Sequence, residues 1–340
     1  MKSFREIKVK RQLHAILQVL ANADEPVGSE KISDLLRLQG INLTDRAVRV
    51  YLEITDRLNL TKSIGRKGRI ITEKGIEEIE SAVVIDKVGF ISSKIEELSY
   101  QMDFNLETKK GSIILNVSAV KKKYLTPDIV QKILRAFEKN LGMGKLITFA
   151  NENEKIGNFK VPPEHVGIGT VCSVTLNGIF LKNHVHMTSR YGCLLELENR
   201  KPKRFTQLIN YEGTTIDPLE IFIRGKMTSI WKCVTSGNGL LGASFREIPS
   251  IAINKARELA KKANDCFLGG ILTFGEPNQP VLDVPVPQGK TGLIILAGLN
   301  PIAIISEEGM EVSSKALCGL HKYEDLYFYK ELAKFCKKLK

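Results

Sequence analysis

Two stretches of this chain repeat each other at a fixed offset. Val161-Pro162 returns as Val284-Pro285. Gly169, ahead of an apolar run, returns as Gly292. Leu176-Asn177-Gly178-Ile179 returns as Leu299-Asn300-Pro301-Ile302, and all three matches are 123 residues apart. Leu146-Ile147-Thr148-Phe149 returns as Ile271-Leu272-Thr273-Phe274 at 125 residues, the shift that a small loop indel makes. Helical patterns over 128–141 and 251–267 precede the matched blocks. The tails Arg204-Phe205…Leu208…Tyr211 and Lys322-Tyr323…Leu326…Tyr329 follow them. Self-similarity of this kind means one supersecondary unit used twice. Each copy reads as strand, helix, strand, Pro/Gly-rich loop, strand and hairpin return. Residues 83–330 are therefore predicted to be an α+β body of two pseudo-symmetric repeated halves, about 105–225 and 230–329, followed by a basic tail over 331–340.

The residues ahead of the repeat follow a different pattern. Leu13, Ile16, Leu17 and Leu20 form the stripe of an amphipathic helix. Pro26-Val27-Gly28 breaks it. Ser29 is placed to cap a second helix with Ile32, Leu35 and Leu36 inward, and Gly40 ends it. After an Ile41-Asn42-Leu43 turn, Thr44 is the natural N-cap of a third helix. Val48, Tyr51, Leu52, Thr55 and Leu58 make its buried stripe, leaving Arg46, Arg49, Val50 and Glu53 outside. The runs 60–64 and 69–72 read as wing strands around Gly65-Arg66-Lys67-Gly68, and 72–82 as an acidic connector helix. The whole predicts a winged helix-turn-helix over 1–82. Thr44, Arg46 and Arg49 belong to the DNA-binding set, the two arginines at base edges, where a guanidinium can pair bidentately with guanine. Arg66, Lys67 and Arg69 belong at phosphates.

Charge agrees with this assignment. The first 72 of the 340 residues hold 14 Lys+Arg against 8 Asp+Glu, half of the net charge of +12. The partner implied is double-stranded operator DNA. The charged start lacks the apolar core of a secretory signal, and the longest apolar stretch, 292–305, is interrupted by Asn300-Pro301 and is too short for a bilayer. Cys172, Cys193, Cys233, Cys266, Cys318 and Cys336 form no Cys-x-x-Cys pair. Such scatter suits a reducing cytoplasm and argues against structural zinc. Cytoplasmic localisation, no membrane association and no metal are the expectations.

In the body, the equivalent segments Glu164-His165-Val166-Gly167-Ile168-Gly169-Thr170 and Gln288-Gly289-Lys290-Thr291-Gly292 offer glycine backbone N–H groups and hydroxyls to an anion, and Lys290 adds a full charge. Ligand sites favour seams between such halves. The candidate anion set is Gly167, Gly169, Thr170, Cys172, Arg190, Gly289, Lys290, Thr291 and Gly292. Arg224 is a further candidate clamp for a dicarboxylate. His184-Val-His186 has metal-compatible spacing without an acidic or thiol partner nearby and reads as solvated. No Ser/His/Asp order, paired-carboxylate motif or nucleotide fingerprint points to catalysis. The expectation is therefore not an enzyme, the alternative being a duplicated α+β metabolic enzyme with a fused regulatory winged-helix domain.

Three segments carry a family resemblance: Val88-Gly89-Phe90-Ile91-Ser92-Ser93-Lys94-Ile95-Glu96-Glu97-Leu98, Gly111-Ser112-Ile113-Ile114-Leu115-Asn116-Val117-Ser118, and the run from Gly169-Thr170-Val171-Cys172 to Asn177-Gly178. With the N-terminal motif, the chain resembles the archaeal nitrogen-regulatory repressor family, NrpR. The resemblance implies a transcriptional repressor of nitrogen-assimilation genes that binds an inverted-repeat operator as a homodimer or higher even oligomer. It also implies 2-oxoglutarate as the effector ligand that releases the DNA, and no cofactor. Some members carry two effector domains, and others share the work with a separate effector-domain protein. This chain has one effector domain, built of two halves.

Overall fold

The computed structural model describes residues 4–38, 41–81 and 90–338, and the chain divides into two compact units, 1–89 and 90–340. The expected boundary at 82/83, and Gly40, lie outside the described residues.

The first unit runs α1 (Phe4–Ala21), α2 (Ser29–Leu38), α3 (Asp45–Arg57), β1 (Thr61–Ser63), β2 (Arg69–Ile71) and α4 (Glu73–Ser81). Its core is the union of the helical stripes: Ile16 and Leu20 from α1, Ile32 and Leu36 from α2, Val48 and Leu52 from α3. Thr44 caps α3 as expected, its hydroxyl accepting from Ala47 N at 3.3 Å. Three details differ from the sequence reading. Leu58 is 48% exposed, because the chain leaves the helix through Asn59 in the left-handed region, and Leu60 takes the buried place instead. Ser29 is the first helical residue rather than the cap, and its hydroxyl serves another side chain. The break at 26–28 is a third wing element: Val27 and Arg69 exchange both backbone hydrogen bonds at 3.0 Å. A Cβ on Gly68 would lie 2.3 Å from the Val27 carbonyl carbon, so this close approach requires glycine. The acidic helix α4, capped by Thr72, packs on α1 and belongs to this unit.

The second unit opens with α5 (Ile91–Gln101) and continues β3 (Ser112–Lys121), α6 (Pro127–Glu138), β4 (Leu146–Ala150), the short pair β5 (Lys155–Ile156) and β6 (Phe159–Lys160), β7 (His165–Val171), α7 (Val174–Lys182), β8 (Thr188–Glu198) and β9 (Lys201–Asn210). Then come α8 (Pro218–Arg224), α9 (Ile230–Ser236), β10 (Gly239–Pro249), α10 (Ile253–Asp265), β11 (Ile271–Phe274), β12 (Lys290–Leu296), α11 (Asn300–Glu307), β13 (Val312–Lys322), β14 (Tyr327–Phe328) and α12 (Glu331–Lys337). The repeat is real and longer than its sequence matches. In each copy a helix begins 21 residues ahead of the first long strand, α5 before β3 and α8 before β10.

The halves are not self-contained. Two antiparallel five-stranded sheets form, in the orders β13-β3-β7-β4-β14 and β11-β12-β10-β8-β9. Strands β8 and β9 of the first half complete the second sheet, β8 pairing with β10 from Glu247↔Thr188 to Gly239↔Leu197. Strands β13 and β14 of the second half complete the first sheet, β13 pairing with β3 and β14 with β4. The inner strand β3 is buried throughout except at its ends, and so is β10 except at its ends. Such strands need apolar cover on both faces, which each half alone lacks. The tails diverge: 201–210 lies beside β8 as a long hairpin, whereas 327–328 returns to the edge of β4. The basic tail is no appendage through residue 338. Leu332 and Cys336 of α12 are buried in a core cluster with Ile133 and Phe137.

Where the end of β12 passes the end of β7, a Cβ on Gly298 would stand 1.9 Å from Val171 O and 2.9 Å from Asn116 Nδ2. Gly298→Ala is therefore expected to destabilise the body by about 3 kcal/mol or more in urea unfolding. Gly309→Ala, in open space at positive φ, should cost about 1 kcal/mol. Equal effects would mean that this crossing is not tight.

Candidate nucleic-acid interface and the buried polar centre of the body

Helix α3 presents Arg46, Arg49, Val50 and Glu53 to solvent, with Val48, Leu52 and Thr55 on the opposite, buried face. The exposure follows from 3.6-residue periodicity: once the stripe is buried, these positions have nowhere else to go. Arg46 forms no hydrogen bond or ion pair among the described residues. Arg49 is latched: its Nη2 lies 2.5 Å from Asp45 Oδ2 and its Nε donates to Ser29 Oγ at 3.2 Å. The Ser29 hydroxyl, and then Arg49, hold the Asp45 carboxyl below its usual range. The Arg49 side chain is 65% exposed, and surface pairs of this kind contribute at most about 1 kcal/mol. A nucleic-acid acceptor can therefore compete for it.

At the wing tip Gly65-Arg66-Lys67 forms a single 3-10 turn with Gly65 at φ +60°. Arg66 and Lys67 are exposed and unpaired among the described residues. Arg69 does not join them. Its side chain turns inward, with Nε donating to Asp56 Oδ2 at 2.8 Å, and is only 23% exposed. Asp56 also accepts from Thr61 Oγ1, so one carboxylate ties α3 to both wing strands. This corrects the reading of Arg69 as a phosphate contact. Sequence spacing places it on the wing, but only the fold shows an acid beneath it. Asp56→Ala should lower the stability of the N-terminal unit by about 1–2 kcal/mol in thermal melts by orphaning Arg69. A melting point matching the parent would remove the tie.

The glycine segments of the body are not anion nests. Residues 165–171 and 290–296 are strands, in different sheets. The N–H groups of β7 face β3 and β4. Gly167, Gly169 and Gly292 serve packing. A Cβ at these positions would stand 2.6 Å from Val161 Cγ2, 2.5 Å from Thr148 Cγ2 and 2.9 Å from Phe245 Cζ respectively. Thr170 and Thr291 are buried, the latter paired with Ser250 Oγ at 3.0 Å. Gly289 sits in an open loop at φ +80°, and Lys290 opens β12 opposite Pro249. Arg190 is engaged with an acid, lying 3.7 Å from Glu247, which stands opposite Gly292 in the ladder. Cys172 is buried, and burial pushes its thiol up to about 12. The nine residues therefore do not converge: apolar runs with alternating glycines fit a crowded sheet as well as a loop, and pairing decided between them. His184 and His186 are exposed, in the loop before β8.

What the fold does bring together is a polar centre that sequence reasoning missed. Arg246 on β10 is fully buried. Its Nη1 donates to Ser173 O at 2.9 Å and to Asn177 Oδ1, and its Nη2 donates to Ser173 Oγ at 2.7 Å. Asn177 in turn donates to Met187 O at 3.0 Å and Ser189 Oγ at 3.2 Å. Asn300, its repeat mate, donates to Leu141 O and Gly242 O at 2.8 Å and accepts from Gly242 N. Both asparagines clamp chain from another element, which explains why the motif recurs. Nearby, Asp217 caps α8 by accepting from Leu219 N at 2.8 Å, and burial raises its carboxyl to about 7. Glu220 accepts from Ala316 N of β13 at 2.7 Å, and burial raises it too. The only available sequence signal was an Arg and a Glu inside the apolar run Leu240–Ile248.

Because the Asp217 value lies above its ordinary 3.8, the folded state favours the neutral acid. That contribution is full below pH 3.8 and fades as pH rises through about 7. Asp217→Asn keeps a capping oxygen and cannot ionise. Relative to the parent it should gain about 2 kcal/mol of stability between pH 5.5 and pH 8 in urea titrations. Parallel pH profiles would contradict burial as the cause.

The architecture is that of a winged-helix regulator: a helix-turn-helix reading head and a duplicated α+β body. Residues 14–79 match the model of the ribonuclease R winged-helix domain, and residues 88–327 match that of the NrpR regulatory domains NRD1 and 2. The chain belongs to the NrpR family of nitrogen regulators. The global nitrogen regulator NrpRI of Methanosarcina mazei is 33% identical over 94% of this chain and 98% of its own length. The global nitrogen regulator NrpR of Methanococcus maripaludis is 32% identical over 90% of this chain, which spans only 53% of that protein. A crystal structure of a nitrogen repressor-like protein from Methanococcus jannaschii superposes with a TM-score of 0.60 at 28% identity, covering 71% of this chain and 99% of that one. Among the described residues no helix is long and apolar enough to cross a membrane.

Proposed function

We propose that this chain is a DNA-binding transcriptional repressor of nitrogen-assimilation genes, a regulator rather than an enzyme. It acts as a two-fold dimer on an inverted-repeat operator and is released by 2-oxoglutarate bound in the body. The observation that carries the DNA reading is the joint exposure of Arg46, Val50, Arg66 and Lys67 on a capped helix and its wing. Arg46 supplies a guanidinium for a guanine edge. Val50, 53% exposed, supplies an apolar group of the kind that contacts a thymine methyl. Arg66 and Lys67 hold phosphates and set the register. A two-fold dimer would place its recognition helices about 34 Å apart, or a multiple of that, matching a palindromic site. Release requires that 2-oxoglutarate bind more tightly to a geometry in which that spacing is wrong, since equal affinity for both geometries shifts nothing. The relatives named as global nitrogen regulators support the regulon.

Gel shifts on a cognate operator at several salt concentrations test the assignment. Arg46→Ala should cost about 1–3 kcal/mol on the cognate site and relax specificity there. Lys67→Ala should weaken all sequences alike and flatten the salt slope by about one counterion. Operator binding unchanged by saturating 2-oxoglutarate would remove the effector from this reading while leaving the DNA assignment standing.

A further inference from the structure

The duplicated body carries two clefts at equivalent places, and they differ in charge. The first lies at the end of the first sheet where β3 leaves and β7 and β13 enter. It measures about 510 Å³ and is lined by Lys121, His165, Arg224, Lys226, Glu311 and Ser313, with Ser306 in the last turn of α11 and the turn after the helix forming one wall. Lys121 and His165 face each other across the β3–β7 ladder. Arg224 ends α8, and Lys226, at φ +52°, forms the turn after it. The second cleft is the repeat counterpart, at the entry of β8 in the second sheet. It is walled by α7 and α5, where the first is walled by α11 and α8. It measures about 280 Å³, and its charged residues are Glu96 and Glu212, alongside Asn177, His186 and Ser189, with no Lys or Arg. The two clefts share a wall of equivalent helices and the entry of an exchanged strand but differ in sign, and only the first also reaches the ends of the inner strands, at Lys121 and His165.

We infer that the cationic cleft is the body's anion site, and that it takes a small dicarboxylate across Lys121, Arg224 and Lys226. This rests on the effector reading above and assigns that effector a place. Lys121 and Lys226 enter no ion pair among the described residues. Arg224 has one, a 3.3 Å contact with Glu220, on a side chain 59% exposed. Three cations against the carboxylates of Glu311 and of Glu220, the partner of Arg224, leave a net positive charge in a concave site, where charge-assisted hydrogen bonds are strengthened by partial exclusion of water. Two groups of cations, on β3 and after α8, suit a ligand charged at both ends. The Ser313 hydroxyl on the third side offers a donor to a carbonyl or carboxylate oxygen. The cleft is also connected to the rest of the body. Glu220, the partner of Arg224, accepts from the backbone of β13, the exchanged strand. A ligand drawing Arg224 away from Glu220 would therefore act on the strand that joins the two halves.

The test is isothermal calorimetry on the full chain, titrated with 2-oxoglutarate and, separately, with inorganic phosphate. Three variants are compared with the parent: Lys226→Glu, Lys121→Glu and, in the counterpart cleft, Glu96→Gln. The Lys residues and Glu96 are at the surface, so thermal melts should match the parent. If a charge reversal nonetheless unfolds the body, Lys226→Gln and Lys121→Gln replace the reversals. Each cationic-cleft variant should weaken 2-oxoglutarate about tenfold or more, and Glu96→Gln should leave it within about twofold. Folded cationic-cleft variants that bind 2-oxoglutarate as the parent does would overturn the cleft assignment and leave the effector reading intact. A parent that binds phosphate but not 2-oxoglutarate, with the same dependence on Lys121 and Lys226, would overturn the effector reading and keep the anion site. A parent that binds neither overturns both.

Discussion

The exchange of β8 and β13 between the two halves is the constraint on which the body depends. Each half supplies strands whose two faces both require apolar cover, and each sheet reaches five strands only by taking two from the other half. The inner strands β3 and β10 are therefore each committed to one partner from their own half and one from the other, far along the chain. Closing such loops is slow but costs stability only logarithmically in their length. A domain built this way cannot be divided at its repeat boundary without breaking both sheets. Any signal that reaches β8 or β13 is felt in both halves.

The same exchange explains where polar groups sit. Asn177 and Asn300 occupy one position in the repeat and hold chain segments brought in from elsewhere in the fold. Symmetry breaks at Arg246. In the ladder it stands opposite Leu293, as Asn116 stands opposite Thr170, the repeat mate of Leu293. An asparagine in one copy thus corresponds in the ladder to a fully buried guanidinium in the other. Buried ions of this kind stabilise little by themselves and lose heavily if one partner is removed, so their value lies in fixing one arrangement. Asp217 and Glu220 place carboxyls on α8 nearby, where burial opposes their ionisation. In the N-terminal unit Asp56 does a simpler version of the same job, holding both wing strands to the recognition helix and leaving Arg66 and Lys67 at the tip.

Much of this was legible in the residues. The helical stripes, the Thr44 cap and the basic turn at 65–68 define the first unit because they are local signals, set by periodicity and by the φ preferences of glycine. The repeat was legible because a duplicated unit keeps its apolar spacing. The glycine segments were misread for a physical reason. Alternating glycine and β-branched residues satisfy both a loop that cradles an anion and a central strand whose neighbours crowd it. Only the neighbours, Val161 and Thr148 among them, distinguish the two. Arg69 was misread in the same way: a cation beside a wing turn has no visible acid until Asp56 is folded under it.

The sequence by itself determined the two-part plan, the reading head and the twofold recurrence of the body, because these follow from spacings along a single stretch of chain. The tertiary structure alone decided which strands trade places, which cations stay exposed, and which of two like clefts is positive. Those outcomes depend on contacts between residues on different elements, from Arg69 and Asp56 to the paired strands β13 and β3, and no local pattern of apolarity or charge constrains such a partner.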